Sequence, residues 1–107
     1  MILEIAQIDV KQGMEEQFEA KVTEAVPLFQ RAKGCRGMAL HRSSEVPNRY
    51  RLFVDWERLE NHTVDFRQSD DFKEWRRLVG SCFESPPYVE HTSQTGVGFG
   101  RESSQPR

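Results

Sequence analysis

The 107-residue chain predicts one α+β domain, an antiparallel sheet backed by helices, and three observations carry that prediction. Apolar residues recur every second position at both ends and in the middle of the chain, and at helical spacing between those stretches. Turn-forming residues stand at the changes of period: Gly13, Gly34, Pro47-Asn48 and Pro86-Pro87. The length suits one hydrophobic core and not two.

Residues 1 to 10 read as a strand, rich in isoleucine and followed by the turn Lys11-Gln12-Gly13. From Met14 the period becomes helical. Met14, Phe18, Val22, Ala25 or Val26, and Phe29 share a face, and Glu15, Glu16, Glu19 and Lys21 fall mostly on the other. Pro27 has no amide hydrogen to offer Thr23, which predicts a kink or a restart, and Gly34 is the expected stop. Strands at 35 to 44 and 49 to 57 follow, joined by SEVPN as a hairpin. A short helix is expected from Leu59 to Arg67. Ser69 should cap a second one, with Asp70 and Asp71 in its first turn, where the helix dipole favours negative charge. Phe72, Trp75, Val79 and Cys82 or Phe83 form its apolar stripe. After Pro86-Pro87, YVEHTSQT alternates as a last strand. The domain thus spans residues 1 to 94. Residues 95 to 107, rich in glycine and without apolar period, read as a flexible C-terminal tail whose spaced glycines open no helix and make no phosphate loop.

The order β-α-β-β-α-β is the ferredoxin-like arrangement. Its sheet is apolar on both faces. In the third strand Tyr50, Leu52, Val54 and Trp56 point one way and Phe53 the other; in the first, Leu3 and Ile5 oppose Ile2, Ala6, Ile8 and Val10. Helices cover one face only, and each large side chain left bare on the other forgoes about 1.5 to 3 kcal/mol. A second copy of the chain, sheet against sheet, is the simplest cover, so a homodimer is expected, with a small-molecule cavity under the helices or at the interface.

Composition excludes several classes of function. Charged residues make up 30% of the chain at a net charge of -2, which leaves no basic excess for nucleic acid. The first ten residues already include Glu4 and Asp9, so neither a signal peptide nor a membrane span is expected there. Cys35 and Cys82 stand far apart without metal-type spacing, and the reading is a cytoplasmic protein with reduced thiols. Without a secretory signal the Asn61-His62-Thr63 glycosylation pattern is idle.

The element order at this length, together with AKGCRGMALHRS, RLFVDWERLENHTVDFRQSDDFKEWRRLV and PPYVEH, resembles the antibiotic biosynthesis monooxygenase domain family over about residues 1 to 94. The resemblance implies a dimeric α+β barrel. It also implies, in one branch, oxygenation of phenols or quinols by O₂ with neither metal nor flavin as cofactor; another branch degrades haem, and isomerases and cyclases share the fold. In the hydroxylating branch an asparagine, a tryptophan one helical turn later and a tyrosine in the next helix line the pocket. The matching positions here are His62, Phe66 and Phe72, so the amide and the phenol are absent and an imidazole is the polar handle. The haem branch's strand asparagine, tryptophan and iron-binding histidine correspond to Gln7, Phe66 and Arg76. A guanidinium stays protonated and cannot bind iron, which weakens that reading.

His62 and Phe66, four residues apart, share a helix face. If that face borders a pocket, His62, with an ordinary pKa of about 6.5, is the expected catalytic base; otherwise it is a hydrogen-bonded or part-exposed residue near the helix start. His41 and His91 lie on strands and can face a pocket or be structural. Three unclustered histidines predict no metal site. Trp56, Phe66, Phe72, Trp75 and Phe83 form either core or an aromatic wall for a flat substrate, and Arg51 or Arg76 either anchors an anion or is solvated. The expected function is a homodimeric, cofactor-independent monooxygenase using O₂ on a small aromatic or quinol-type substrate. The alternative is a non-catalytic or isomerase-like small-molecule binding dimer of the same fold.

Overall fold

A computed structural model describes residues 1–100 of the chain. The elements run β1 (Ile2–Asp9), α1 (Glu15–Gln30), β2 (Cys35–Arg42), β3 (Arg49–Trp56), a π-helical turn (Asn61–Phe66), α2 (Asp70–Val79), a 3₁₀ turn (Gly80–Cys82) and β4 (Tyr88–Ser93). The strands form one antiparallel sheet in the order β2-β3-β1-β4, the ferredoxin-like topology. Residues 95–100 belong to no helix or strand, and 101–107 of the expected tail lie outside the described residues.

Alternation along the strands sorts the two faces as expected. Ala6, Ile8, Tyr50, Leu52, Val54 and Trp56 are buried beneath the helices, where Phe18, Val22, Ala25 and Phe29 of α1 and Trp75, Leu78 and Val79 of α2 complete the core. Leu3, Ile5 and Phe53 point the other way and are only partly covered. One charged residue, Glu4, shares the inward row with Ala6 and Ile8 and is 5% exposed.

Three local predictions change. Pro27 does not restart α1, which runs as one helix from Glu15 to Gln30. Pro27 and Thr23 both lie on its solvent side, so water can serve the carbonyl that loses its partner. Gly34 is not the helix stop, since α1 ends four residues earlier. Its φ of 77° turns the chain into β2, and a Cβ there would collide with the side-chain amide of Asn61. The helix expected at Leu59 to Arg67 is wound wider than an α-helix over Asn61–Phe66, with the Arg67 N–H reaching the His62 carbonyl five residues back at 3.2 Å. Such π turns recur at functional sites. Among the described residues no helix is long and apolar enough to cross a membrane.

Candidate functional site

A cavity of about 530 Å³ opens between the inner face of the sheet and the segment from the π turn to α2. Its floor is Glu4, Ala6 and Ile8 of β1 with Leu52 of β3. The wall is aromatic: Phe29 of α1, Phe66 of the π turn, and Phe72 and Trp75 of α2. The loop 83–87 closes a third side.

Local sequence explains how the wall is held. Ser69 caps α2 by accepting the Phe72 N–H at 3.1 Å, and its hydroxyl donates to the Phe66 carbonyl at 2.6 Å. One side chain thereby joins the two helical pieces and sets Phe66 and Phe72 edge to face, centroids 5.6 Å apart. Trp75 meets Phe29 edge-on at 5.1 Å. Arg31, the residue that follows α1, grips Asp71 through two hydrogen bonds of 2.8 Å, tying the first turn of α2 to the end of the other helix.

The polar end of the cavity is built around His62, which is 4% exposed. Its ring stacks on Trp56 with centroids 5.4 Å apart and planes 19° off parallel. A hydrogen bond of 2.8 Å joins His62 Nδ1 to His91 Nε2, and Glu4 Oε1 lies 3.4 Å from His62 Nε2. Glu4 Oε1 also accepts the Trp56 indole N–H at 2.9 Å. Glu4 and His91 are direct cross-strand partners, so the sheet presents both to the imidazole.

Burial governs the protonation of this group. It pushes His62 down to about 4, helped by the positive charge of Arg67, so the ring is neutral at physiological pH. Burial also lowers His91 and raises the Glu4 carboxyl, while the Trp56 indole and Arg67 pull Glu4 back toward its charged form. A carboxylate facing Nε2 favours the tautomer with its proton there, leaving Nδ1 to accept from His91 Nε2–H. Nδ1 is then hydrogen-bonded, and Nε2 faces the carboxylate across 3.4 Å.

Of the residues expected from the sequence to form a site, His62, Phe66, Phe72, Trp75 and Arg76 line this cavity. Arg76 lies over the Phe72 ring at 6.0 Å. Trp56 stands behind the lining, fully buried against His62 and Phe66, and His91 reaches the site through His62. Phe83 also borders it. His41 does not come to the cavity. It pairs with Arg51 on the opposite face of the sheet, exposed and packed edge-on to Phe53 at 4.8 Å, because its strand parity matches Phe53 and not Leu52. Arg51 and Gln7 lie on that far face too. Asn61 of the glycosylation pattern is buried, its amide engaged with the Arg58 N–H and Asp65, which leaves no room for a glycan.

Glu4 and Arg67 also line the cavity, and neither is among the site residues expected from the sequence. A signal for Glu4 existed: a carboxylate at the inward parity of an otherwise apolar strand must be paired or functional. Arg67 carried none, since it follows the π turn whose widened winding brings it beside the cavity.

Comparison with known proteins agrees with this architecture. The family model for antibiotic biosynthesis monooxygenase matches residues 1–78. The uncharacterized protein YczJ of Bacillus subtilis is 36% identical over 91 residues, covering 85% of this chain and 96% of that protein. A Bordetella bronchiseptica crystal structure from the same family superposes with a TM-score of 0.87 at 61% identity, over 88% of this chain and 96% of that one. SnoaB, a cofactor-independent oxygenase from Streptomyces nogalater, superposes at 0.74 with 14% identity over 88% and 92% of the two chains, a likeness of fold alone.

Proposed function

The chain belongs to the antibiotic biosynthesis monooxygenase family, and from that premise we propose that it is a homodimeric, cofactor-independent monooxygenase acting on a small aromatic or quinol-type molecule with O₂. The observation that carries the reading is the cavity itself, an aromatic wall facing a buried carboxylate and imidazole. An aromatic slot selects a flat ring, and a polar end at one side of it orients an ionisable hydroxyl.

The chemistry follows from what such a site does to a phenol, quinol or anthrone. Phe66, Phe72 and Trp75 hold the ring, and the Glu4, His62 and His91 cluster favours loss of its proton. The resulting anion is electron-rich enough to reduce O₂ and form a carbon-bound peroxide. That peroxide takes up a proton and eliminates water to leave a carbonyl. For an anthrone the balance is CH₂ + O₂ → C=O + H₂O, with one oxygen atom in the product and one in water. Arg67 and Arg76 flank the opening and stabilise the anionic intermediate.

The partly covered Leu3, Ile5 and Phe53 support a homodimer joined through that face of the sheet. The free thiols of Cys35 and Cys82 suit a cytoplasmic location. The domain is taken as residues 1 to 94 with the remainder as its tail.

The test is oxygen consumption with a panel of naphthoquinols and anthrones, with mass analysis of the product. Protein-dependent uptake with incorporation of one labelled oxygen atom is the expected result. Tight binding with no uptake would sink the oxygenase reading and leave a binding dimer, a reading the absence of a phenol at Phe72 favours.

A further inference from the structure

We propose that Glu4, rather than His62, is the proton acceptor of this site, and that Trp56, His62 and His91 are the residues that position it. The inference rests on the reading that the cavity binds a molecule with an ionisable hydroxyl, and it names the group that takes the proton.

Glu4 is buried where an uncharged residue would serve a merely structural purpose better. Removing a carboxylate from water is unfavourable unless partners compensate for it. The Trp56 indole needs one acceptor, which a glutamine carbonyl would supply without that cost. The carboxylate is divided between two tasks. Oε1 accepts from Trp56 and faces His62 Nε2. Oε2 makes no hydrogen bond among the described residues, yet no buried side-chain polar atom there goes unsatisfied, so Oε2 is open to the cavity that Glu4 lines. A carboxylate oxygen at the end of an aromatic slot is placed to accept from the hydroxyl of a bound phenol or enol.

The neighbours fit this assignment. Nδ1 of His62 is taken up by His91 and Nε2 faces Glu4 at 3.4 Å, and a ring kept neutral down to about pH 4 is a weak acceptor. With its proton on Nε2 it instead faces the Glu4 charge and steadies it, and the bond between His62 Nδ1 and His91 Nε2 fits that tautomer. Burial makes Glu4 more basic than an ordinary glutamate. Arg67 and Arg76 line the same cavity, and among the described residues neither makes a salt bridge, so both remain available to the ligand anion; Glu84 is the other carboxylate at the rim.

The proton balance closes on Glu4 alone. The ligand O–H bond breaks and an Oε2–H bond forms, leaving a ligand anion and a neutral carboxylic acid. After O₂ adds to the anion, the acid returns its proton to the peroxide, and the carboxylate is restored. No external acid is needed in that exchange.

Binding of a nitronaphthol, whose anion absorbs at longer wavelength than its neutral form, tests the assignment without requiring turnover. It is measured one pH unit below the free ligand's own pKa. The wild-type protein should show the anion band together with a new carboxylic acid C=O band in the infrared difference spectrum. Glu4→Gln should lower the anion fraction at least tenfold while quenching of tryptophan fluorescence still reports binding, and Glu4→Asp should restore part of it. His62→Gln should keep the anion band but shift the pH at which it appears. Absence of the anion or carboxylic acid band in the wild type, which needs no variant to fold, overturns the proposal, as does an anion band that survives Glu4→Gln. Both bands without oxygen uptake on the quinol panel would uphold Glu4 and reject the oxygenase. Uptake without the bands would do the reverse.

Discussion

Both faces of the sheet carry apolar side chains, and these come to different ends. On the inner face Leu52, Val54 and Trp56 of β3 are sealed by α1 and α2. On the outer face Phe53, one residue from Leu52, meets His41 edge-on and stays partly open. The inner face also contains what an apolar layer ordinarily rejects, a carboxylate and an imidazole, and leaves a cavity beside them. Part-open apolar side chains on a sheet face ask for a partner surface, and a covered face with buried charge asks for a ligand.

Adjacent truncations in β3 separate these two demands most sharply. Leu52→Ala should destabilise the protomer by about 2 to 5 kcal/mol in urea unfolding, by the same amount at every protein concentration, because it enlarges a hole within one fold. Phe53→Ala should leave the protomer nearly as stable. It should instead raise the dissociation constant of the proposed dimer at least tenfold in sedimentation, corresponding to roughly 1.5 to 3 kcal/mol of lost apolar burial. Equal, concentration-independent losses at both positions would mean the outer face is finished by the protomer itself.

The contrast also explains what could be read beforehand. Period-two alternation in β1 and β3, the Ser69 cap and the Pro47-Asn48 turn are local signals, and local signals gave the topology and the sorting of the faces. The wall residues Phe66, Phe72 and Trp75 followed from helical spacing. The polar end did not, because it is assembled from residues remote in the chain: Glu4 on β1, His62 on the π turn and His91 on β4. His41 and His91 looked alike in sequence, each on a strand among apolar neighbours. Only the register, His41 opposite Arg51 and His91 opposite Glu4, decides that they face opposite ways.

Acid should probe the inner face next. His62 titrates near 4 in the folded chain against about 6.5 unfolded, so the unfolded state binds the extra proton in that window. Stability is therefore full above pH 6.5 and falls as pH drops toward 4, by about 3 kcal/mol from this group. Glu4 works in the opposite sense. Its raised folded pKa contributes stability in acid that is lost as pH rises through that value, which trims the fall. Asp9 and Asp71, held below the usual carboxylate range by Arg49 and Arg31, add losses only in stronger acid, below about 3.8. Urea titrations at pH 7 and 4.5 should show the drop in the wild type and a flatter profile in His62→Phe. A profile unchanged by that substitution would remove His62 as its source.

The smallest effect concerns the joint between the two helical pieces. Ser69 accepts the Phe72 N–H and donates to the Phe66 carbonyl, so Ser69→Ala deletes two hydrogen bonds but no apolar packing. Loss of an N-cap costs about 1 kcal/mol, and Asp70 and Asp71 remain to favour the positive end of the helix dipole. Unlike the truncations in β3, this change should alter the cavity more than the fold. With Phe66 and Phe72 freed from a fixed edge-to-face arrangement, ring binding should weaken while the melting temperature falls by only a few degrees. Titration of a naphthol into wild type and variant, beside thermal unfolding of each, measures both quantities. Equal affinity with the same small loss of stability would show that Phe29 and Trp75 hold the wall in place without the joint, since those two rings pack edge to face independently of Ser69.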